Sequence, residues 1–414
     1  MGSLYNQREV MSIRIDELVD REKFKEEMIQ LRRNFHQFPE LSQHESQTAE
    51  RICKFLDDIG VPYKKHIAGN GVMAWISGGT GTVVAVRGDM DALPIEERND
   101  VPYCSKAPGI MHACGHDVHI TVLLGLAKLL SLHKDKLKGT VKLFFQPAEE
   151  TVGGAADMIN EGVLENPRVD VVLGLHVEPS YDIGQVGIKF GKMYAASDMI
   201  DVRICGKSAH GAHPDEGVDV ICIAAEIVTA IQLMIAREVS PLDSAVCTFG
   251  SIHGGTVRNQ IADSLEMQGI IRTVDPDTRI RMRKRVSEVC CLTAKKMGAD
   301  AEVMFYESYG SLINDDCITQ IVKNSAEELL GKENIIIEET PDLSCEDFSY
   351  FAEQRPACYF HLGCYSEKAG KRVDLHNSMF DIDEECIING IELQFNNIIN
   401  VEKEYNRSNT YDRR

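Results

Sequence analysis

The chain has 414 residues, of which 43% are hydrophobic, and a formal net charge of −20 at pH 7. The length predicts roughly two or three domains, and the apolar content excludes a largely disordered chain. The acidic balance argues against nucleic acid or an anionic membrane surface as the main partner, so we expect neither.

Membrane and secretion signals are not evident in the sequence pattern. We find no apolar run close to the ~18 residues of a membrane span and no apolar signal core in the first residues. The 13 cysteines are an odd number scattered along the chain. This usage indicates reduced thiols that serve mostly as small core residues. We therefore expect a cytoplasmic protein.

The first part of the chain alternates helices with short apolar strands. Apolar spacing predicts a helix over 15–37, which Pro39 stops, and a second helix over 46–59. Apolar strands follow in the stretches VMAWIS, TVVAVR, VKLFFQ and VDVVLGLHV, with helices over about 118–132 and 155–161 between the later ones. This alternation is typical of an α/β sheet with both faces covered.

The middle of the chain has a different rhythm of strand, long helix, two strands, long helix and strand. The segments are SDMIDVRICG, GVDVICIAAEIVTAIQLMIARE, SAVCTFGSIHGG, SLEMQGIIRT, PDTRIRMRKRVSEVCCLTAKKMG and DAEVMFYESY. The order β-α-β-β-α-β predicts a ferredoxin-like domain. The alternation of strands and helices then resumes, and a long helix follows. We therefore predict that 196–308 is a domain inserted into a first domain, whose two parts are 1–195 and 309–414.

Candidate metal ligands lie near the ends of the predicted strands. The stretch MHACGHDVHI places Cys114 and His116 two residues apart on a Gly-containing turn. Thiolate and imidazole suit Zn, Mn, Co or Ni and exclude a pure Ca or Mg site. Glu150, His176 and His376 lie at or after other strand ends, where ligands of open α/β sheets collect. These five side chains could form one or two metal centres.

Carboxylates accompany these ligands. Glu149 and Glu150 point in different directions, so one can bind metal while the other takes a proton from water and returns it to a leaving amine. The alternative for this pair is a helix start that faces water. Asp89 and Asp91 share one face of a strand end and could orient a ligand imidazole, with a turn or helix cap as the alternative. We interpret Asp117, beside the ligand turn, as a similar support or a cap.

Seven motifs in order resemble a known family. They are RRNFHQFPELSQHE, RGDMDALPIEE, MHACGHDVHI, FQPAEE, SAHGAHPDEGVD, GTVRNQIAD and LHNSMFDIDEE. Together they resemble the aminoacylase and carboxypeptidase-type dinuclear metallopeptidases, in the amidohydrolase branch of hippurate hydrolases, N-acyl-L-amino acid amidohydrolases and plant auxin-conjugate hydrolases. The resemblance covers about residues 31–385. It implies a zinc-peptidase-like α/β catalytic domain with an inserted ferredoxin-like lid that commonly forms a homodimer.

The resemblance also implies a role for each site residue. The ligands of two divalent metal ions correspond to Cys114, His116, Glu150, His176 and His376, and the general base corresponds to Glu149.

In the lid, His210 matches a histidine that donates to the oxyanion, and Arg258 and Asn259 match residues that hold the substrate carboxylate. Without the resemblance, His210 would be interpreted as an ordinary turn residue, and the alternative for Arg258 and Asn259 is a turn that connects two strands. Other branches place a metal-binding histidine where this chain has Asp89, so the sharing of ligands between the metals and the number of tightly bound ions stay open.

The expected reaction is hydrolysis of the amide bond of hippurate-like or related N-acyl-L-amino acids to a carboxylate and a free amino acid. The alternative is a metallo-dipeptidase or carboxypeptidase that acts on small peptides. A metal-free binding protein on the same fold is a third hypothesis, which the full set of ligand types argues against. A redox role for Cys114 lacks a second cysteine at Cys-x-x-Cys spacing.

Overall fold

The computed structural model describes residues 12–405. The α-helices of this part are α1 Arg21–Gln37, α2 Ser46–Asp58, α3 His116–Leu132, α4 Ala155–Asn160, α5 Val220–Glu238, α6 Pro276–Lys296, α7 Asp316–Leu330, α8 Ser349–Gln354 and α9 Glu385–Glu404. The strands are β1 Tyr63–Ile67, β2 Gly71–Ser77, β3 Val83–Asp89, β4 Thr140–Gln146, β5 Val171–Asp182, β6 Val186–Ile188, β7 Gly191–Tyr194, β8 Ala196–Cys205, β9 Ala245–Gly254, β10 Ser264–Thr273, β11 Asp300–Glu307, β12 Leu312–Asn314, β13 Ile335–Ile337 and β14 Ala357–Tyr365.

The chain forms two compact units. Of the described residues, the first contains 12–191, Ile313–Glu339 and 350–405. The second contains Lys192–Leu312 and Thr340–Ser349. The inserted domain predicted over 196–308 lies within the longer segment of the second unit.

The first unit is built on an eight-stranded mixed sheet in the order β1-β2-β4-β3-β5-β14-β6-β13. Its central strands β4, β3, β5 and β14 run parallel to one another. Every residue of β3 and β4 is buried, as expected for strands covered on both faces. Helix α3 packs against α1, α9 and β3. The predicted α/β fold class is confirmed.

In the first unit, one predicted helix boundary was inaccurate and several elements, among them β1, β6, β13 and α7, were not predicted. The helix predicted over 15–37 starts only at Arg21, because the Asp20 carboxylate accepts the Lys23 amide at 3.2 Å and caps α1. Ile15–Glu17 forms a separate short 3₁₀ turn. Strand β1 was not predicted, since its sequence YKKHI has little apolar alternation and it lies at the edge of the sheet.

The second unit contains a four-stranded antiparallel sheet in the order β11-β8-β10-β9. Along the chain its elements run β8, α5, β9, β10, α6 and β11, which is the predicted β-α-β-β-α-β order. Alternate residues of the central strand β10, such as Leu265, Met267 and Ile271, are buried. They form a core with residues of α5 and α6, for example Ile227 and Val286.

Helix α5 corrects one expectation. In the described part of the chain it is the single helix that is long and apolar enough to cross a membrane by length and composition, whereas we expected no such segment. About a third of its apolar window is buried. Ile223, Ile227 and Ile231, at helical spacing, belong to the core of the second unit. This spacing is typical of a helix that packs on a sheet.

Candidate metal centre

The register of the parallel strands brings polar residues to one edge of the large sheet. Asp89, the last residue of β3, pairs with Gln146, the last residue of β4. Arg87 of β3 pairs with Gly174 of β5, so Asp89 and His176, each two residues further on, lie at the same level. The carboxyl ends of parallel strands therefore converge as the sequence predicted.

A glycine turn places the first two candidate ligands. Gly115 has φ 81° and precedes α3, which begins at His116. A Cβ atom at this position would lie 2.4 Å from Cγ2 of Val177, so both the backbone conformation and the space favour glycine. The turn lets the Cys114 and His116 side chains approach the same point from one chain segment.

The five predicted ligand side chains lie together. Cys114 Sγ is 3.4 Å from His176 Nε2 and 3.3 Å from His376 Nε2. Glu150 Oε1 is 3.2 Å from His376 Nε2 and 3.8 Å from His116 Nε2. The predicted base Glu149 forms a group with His116 and Glu150 in which one ligand atom from each lies within 4.8 Å of the others.

The buried donors fit a divalent cation. In the described part of the chain, His116 Nε2 is buried without a hydrogen-bond partner, and the buried Glu150 Oε1 has an ion-pair contact with His376 but no hydrogen bond of good geometry. Such atoms are costly unless something satisfies them. A cation held between the imidazole, the carboxylate and the Cys114 thiolate satisfies all three, and this donor set matches Zn, Mn, Co or Ni.

Cys114 and His116 both have raised pKa values, so both must lose a proton when they bind a cation. Burial and the Glu150 carboxylate hold the pKa of the Cys114 thiol well above its usual range. Burial alone would lower the pKa of His116, but the carboxylates of Asp89 and Asp91 outweigh burial and raise this pKa to about 10. Because ligands bind metal in their deprotonated forms, metal binding at this site releases protons and weakens as the pH falls.

A backbone hydrogen bond positions His376 next to the Cys114 turn. It has φ 59°, an uncommon conformation for a residue with a side chain, and its amide donates to the Ala113 carbonyl at 2.8 Å. This bond ties the loop after β14 to the residue before Cys114. Sequence patterns gave no signal for this geometry.

Asp91 supports two candidate ligands at once. Its Oδ1 lies 3.1 Å from His116 Nδ1, and its Oδ2 accepts the Glu150 amide at 3.0 Å and the Ser42 hydroxyl at 2.6 Å. Since Nδ1 is held in this way, Nε2 of His116 faces Glu150. Ser42 was not predicted as a site residue, although it lies within the motif RRNFHQFPELSQHE.

Asp89 lies 3.6 Å from His116 Nδ1 but makes its closest histidine contact with His119. Its Oδ1 lies 2.6 Å from His119 Nδ1, and Nε2 of His119 accepts the Val177 amide at 3.0 Å. This pairing places the His119 proton on Nδ1, where it is donated to Asp89. The guanidinium of Arg87 also donates to Asp89 at 2.6 Å. Asp89 therefore supports the end of β5 next to His176.

Asp117 lies in a buried network behind the candidate ligands. It accepts a hydrogen bond from Arg32 Nε at 2.7 Å and lies 2.8 Å from His36 Nδ1. These contacts join α1 to the first turn of α3. Asp117 therefore holds the start of the helix that carries His116, through contacts with α1.

The three substrate residues implied by the resemblance belong to the second unit. The Gly211 amide donates to the Asn259 carbonyl at 2.8 Å, and His210 and Gln260 form an isolated β-bridge. These contacts bring two loops that are far apart in sequence side by side. His210, Arg258 and Asn259 are all exposed.

Comparison with known proteins gives consistent relatives. The chain is 39% identical over 363 residues to an N-acetyl-L-cysteine deacetylase of Bacillus subtilis, which covers 87% of this chain and 85% of that protein. It is 37% identical over 380 residues to IAA-amino acid hydrolase ILR1-like 4 of Arabidopsis thaliana, covering 91% and 86%. Among solved structures, the Bacillus subtilis YXEP protein, titled a dinuclear metal-binding peptidase, matches with TM-score 0.81 and 31% identity over 92% of this chain and 99% of that one.

The family model described as peptidase family M20/M25/M40 matches residues 85–398. This span includes the candidate ligand turn, the Glu149-Glu150 pair and the loop that carries His376. The predicted hydrolase class and the predicted family resemblance are therefore confirmed. The chain belongs to peptidase family M20/M25/M40.

Proposed function

We propose that this enzyme is a metal-dependent amidohydrolase that cleaves N-acyl-L-amino acids to a carboxylate and a free amino acid. The observation that carries the proposal is the convergence of one thiol, three imidazoles and one carboxylate beside Glu149. The names of the deacetylase and hydrolase relatives support an acylated amino acid as substrate.

The proposed cofactor is a pair of divalent ions, drawn from Zn, Mn, Co or Ni. Their proposed ligands are Cys114, His116, Glu150, His176 and His376. When bound, the ions would polarise the scissile carbonyl and lower the pKa of an attacking water.

Glu149 is the proposed general base and later the general acid. Its carboxylate is buried and lies beside His116 and Glu150. A carboxylate so placed can take a proton from water during attack and hand it to the leaving nitrogen. Asp91 accepts the Glu150 amide and so holds the proposed ligand next to the proposed base.

The second unit would recognise the substrate. We propose that His210 donates a hydrogen bond to the oxyanion and that Arg258 and Asn259 bind the free carboxylate of the amino acid. A guanidinium suits this task because it is permanently charged and donates in a fork that matches a carboxylate. The backbone contacts between the two loops hold these residues in one neighbourhood of the second unit.

A substrate panel tests the proposal. Purified enzyme is incubated with benzoyl-glycine, acetyl, indole-acetyl and aminobenzoyl conjugates of amino acids, with and without chelator, and with Mn, Zn or Co added back. We expect release of free amino acid that chelator abolishes and metal restores. If metal-loaded enzyme releases amino acid from none of them, the proposal is wrong.

A peptidase acting on dipeptides or carboxyl-terminal residues is the second candidate, which the family description and the peptidase structure favour. Matched pairs of substrates, one with a free amino terminus and one N-acylated, separate the two. Preference for the acylated member supports the amidohydrolase, and preference for the free amine supports the peptidase.

We further propose that the enzyme is cytoplasmic and forms a homodimer through its second unit. The 13 cysteines all lie in the described part of the chain and form no disulfide, which suits a reducing compartment. Light scattering coupled to size exclusion measures the mass directly. A mass near twice that of one 46.2 kDa chain is expected, and a monomer at all concentrations contradicts the dimer.

A further inference from the structure

The turn that carries Glu149 has a strained residue just before it. Ala148 has φ 58°, although it is not a glycine and is almost fully buried. A strained, buried backbone conformation persists only where its surroundings hold it. A residue that holds the Ala148 backbone would therefore also influence the orientation of the next side chain, Glu149.

The turn is tightly enclosed on the side of Pro147. A Cβ atom at Gly154 would lie 2.1 Å from the Pro147 carbonyl oxygen, and one at Gly71 would lie 3.0 Å from Pro147 Cδ. The Ala148 carbonyl accepts the Gly153 amide at 2.9 Å. The Ala148 amide is held by a further contact, from outside this turn.

Glu45 supplies that contact from 103 residues away. Its Oε1 accepts the Ala148 amide at 2.9 Å, and its Oε2 accepts the Asn70 side-chain amide at 3.0 Å. Glu45 is fully buried at the start of α2, and burial raises the pKa of its carboxyl. A buried carboxylate is costly unless hydrogen bonds replace its lost hydration, and one of the two bonds to Glu45 comes from the Ala148 amide of this turn.

We propose that Glu45 is a positioning residue for the reaction: its buried carboxylate fixes the Ala148 amide and so sets the orientation of the Glu149 side chain. This inference rests on the proposed role of Glu149 as the base. The neighbouring Glu150 is held separately, through its own amide to Asp91. Removing the Glu45 carboxylate should therefore disturb the base while leaving the candidate ligand in place.

The test compares Glu45→Leu with wild type for kcat, KM and bound metal per chain. A misplacement of about 1 Å at a reacting group costs on the order of 10²-fold in rate, so we expect kcat to fall by about 10²-fold. KM and the metal content should stay near the wild-type values. Glu45→Gln keeps an oxygen that can accept the Ala148 amide, so its kcat should lie closer to wild type than to Glu45→Leu.

Glu40→Leu is the matched control. Glu40 lies in the same segment and its carboxylate accepts the Thr48 amide at 2.7 Å, so it supports α2 without touching the turn. We expect this variant to lose thermal stability while kcat stays near wild type. A kcat loss equal to that of Glu45→Leu would mean that α2 stability alone explains the effect and would overturn the proposal.

If Glu45→Leu folds poorly, the double variant with Ala148→Gly replaces it. Glycine tolerates the positive φ, which removes the strain but supplies no acceptor. A folded double variant with lowered kcat supports the proposal. A double variant with wild-type kcat, or one that loses activity only in proportion to its bound metal, overturns it.

The wild-type enzyme is assayed on the same acyl amino acids. An inactive wild type counts against the proposed function, whereas an active wild type with a fully active Glu45→Leu counts against the positioning role of Glu45.

Discussion

The candidate metal centre of the first unit and the substrate loops of the second unit are built in opposite ways. In the first, four of the five proposed ligands are buried or half-buried and His376 alone among them is exposed, and carboxylates such as Asp91 fix their neighbours through several hydrogen bonds. In the second, His210 and Arg258 are exposed and lie on loops.

This difference corresponds to what each region has to do. Groups that bind a cation and move a proton need fixed geometry, which burial and surrounding hydrogen bonds provide. Groups that receive a substrate from solvent must be accessible before it binds, so exposed loop residues suit them. We therefore expect substitutions in the first region to lower metal affinity or the rate of proton transfer. Substitutions in the second region should lower kcat while the bound metal per chain stays at the wild-type level.

Glu149→Gln should give the largest loss. The amide keeps the shape of the side chain but cannot take a proton, so kcat should fall by at least the ~10²–10⁴-fold of general-base loss. Metal content, measured by mass spectrometry of the purified variant, should remain at the wild-type level. Normal turnover by this variant would remove Glu149 from the mechanism.

His210→Ala sharpens the contrast between the two regions. Loss of one donor to an oxyanion costs about 10²–10³-fold in kcat, and we expect a loss in that range with wild-type metal content. Steady-state kinetics on the substrate that wild type cleaves fastest provides the measurement, with the exposed neighbour His213 changed to Ala as the control. Equal losses from both substitutions would show that His210 has no special role.

Asp91→Asn should weaken metal binding more than it changes the fold. The asparagine loses the charge that supports His116 Nδ1 and one acceptor of the Glu150 amide, and loss of such a partner typically lowers metal affinity by about 10–100-fold. Competition with a fluorescent chelator measures the affinity. An unchanged affinity would contradict the role that we give to Asp91.

Glu97→Gln should give the smallest effect, seen in the pH dependence of stability. Burial raises the pKa of Glu97, but its bonds with His36 and the Ser105 amide outweigh this and hold the pKa at about 2. Because this value lies below the ordinary 4.5, the ionised carboxylate stabilises the fold fully above about pH 4.5, and this contribution disappears as the pH falls toward 2.

We therefore expect the variant to melt roughly 2–4 °C below wild type at pH 7, and the difference to shrink on acidification to pH 3. Calorimetry of both proteins across this range measures the difference. A difference that stays constant with pH would show that the Glu97 charge does not contribute.

Much of the candidate site follows from short-range sequence features. Cys114 and His116 share one turn, Glu149 and Glu150 follow one strand, and parallel strands bring their carboxyl ends to one edge. The β-α-β-β-α-β order of the second unit could also be predicted, because each of its strands and helices has its own local apolar period.

The remaining features depend on contacts between distant segments. The Ala148 amide meets Glu45 only after folding, and the φ of His376 is fixed by its bond to Ala113. The segment Thr340–Ser349 joins the second unit without a regular apolar period of its own. A sequence pattern reports local periodicity, so it carries little information about these arrangements.

Metal dependence is tested most directly by a metal titration of the chelated enzyme, with bound ions per chain and release of amino acid measured in the same samples. We expect no turnover without metal, and activity that rises with Mn or Zn and levels off as two ions bind. A metal-free chain that hydrolyses acyl amino acids at the wild-type rate would contradict the proposed metal-dependent reaction.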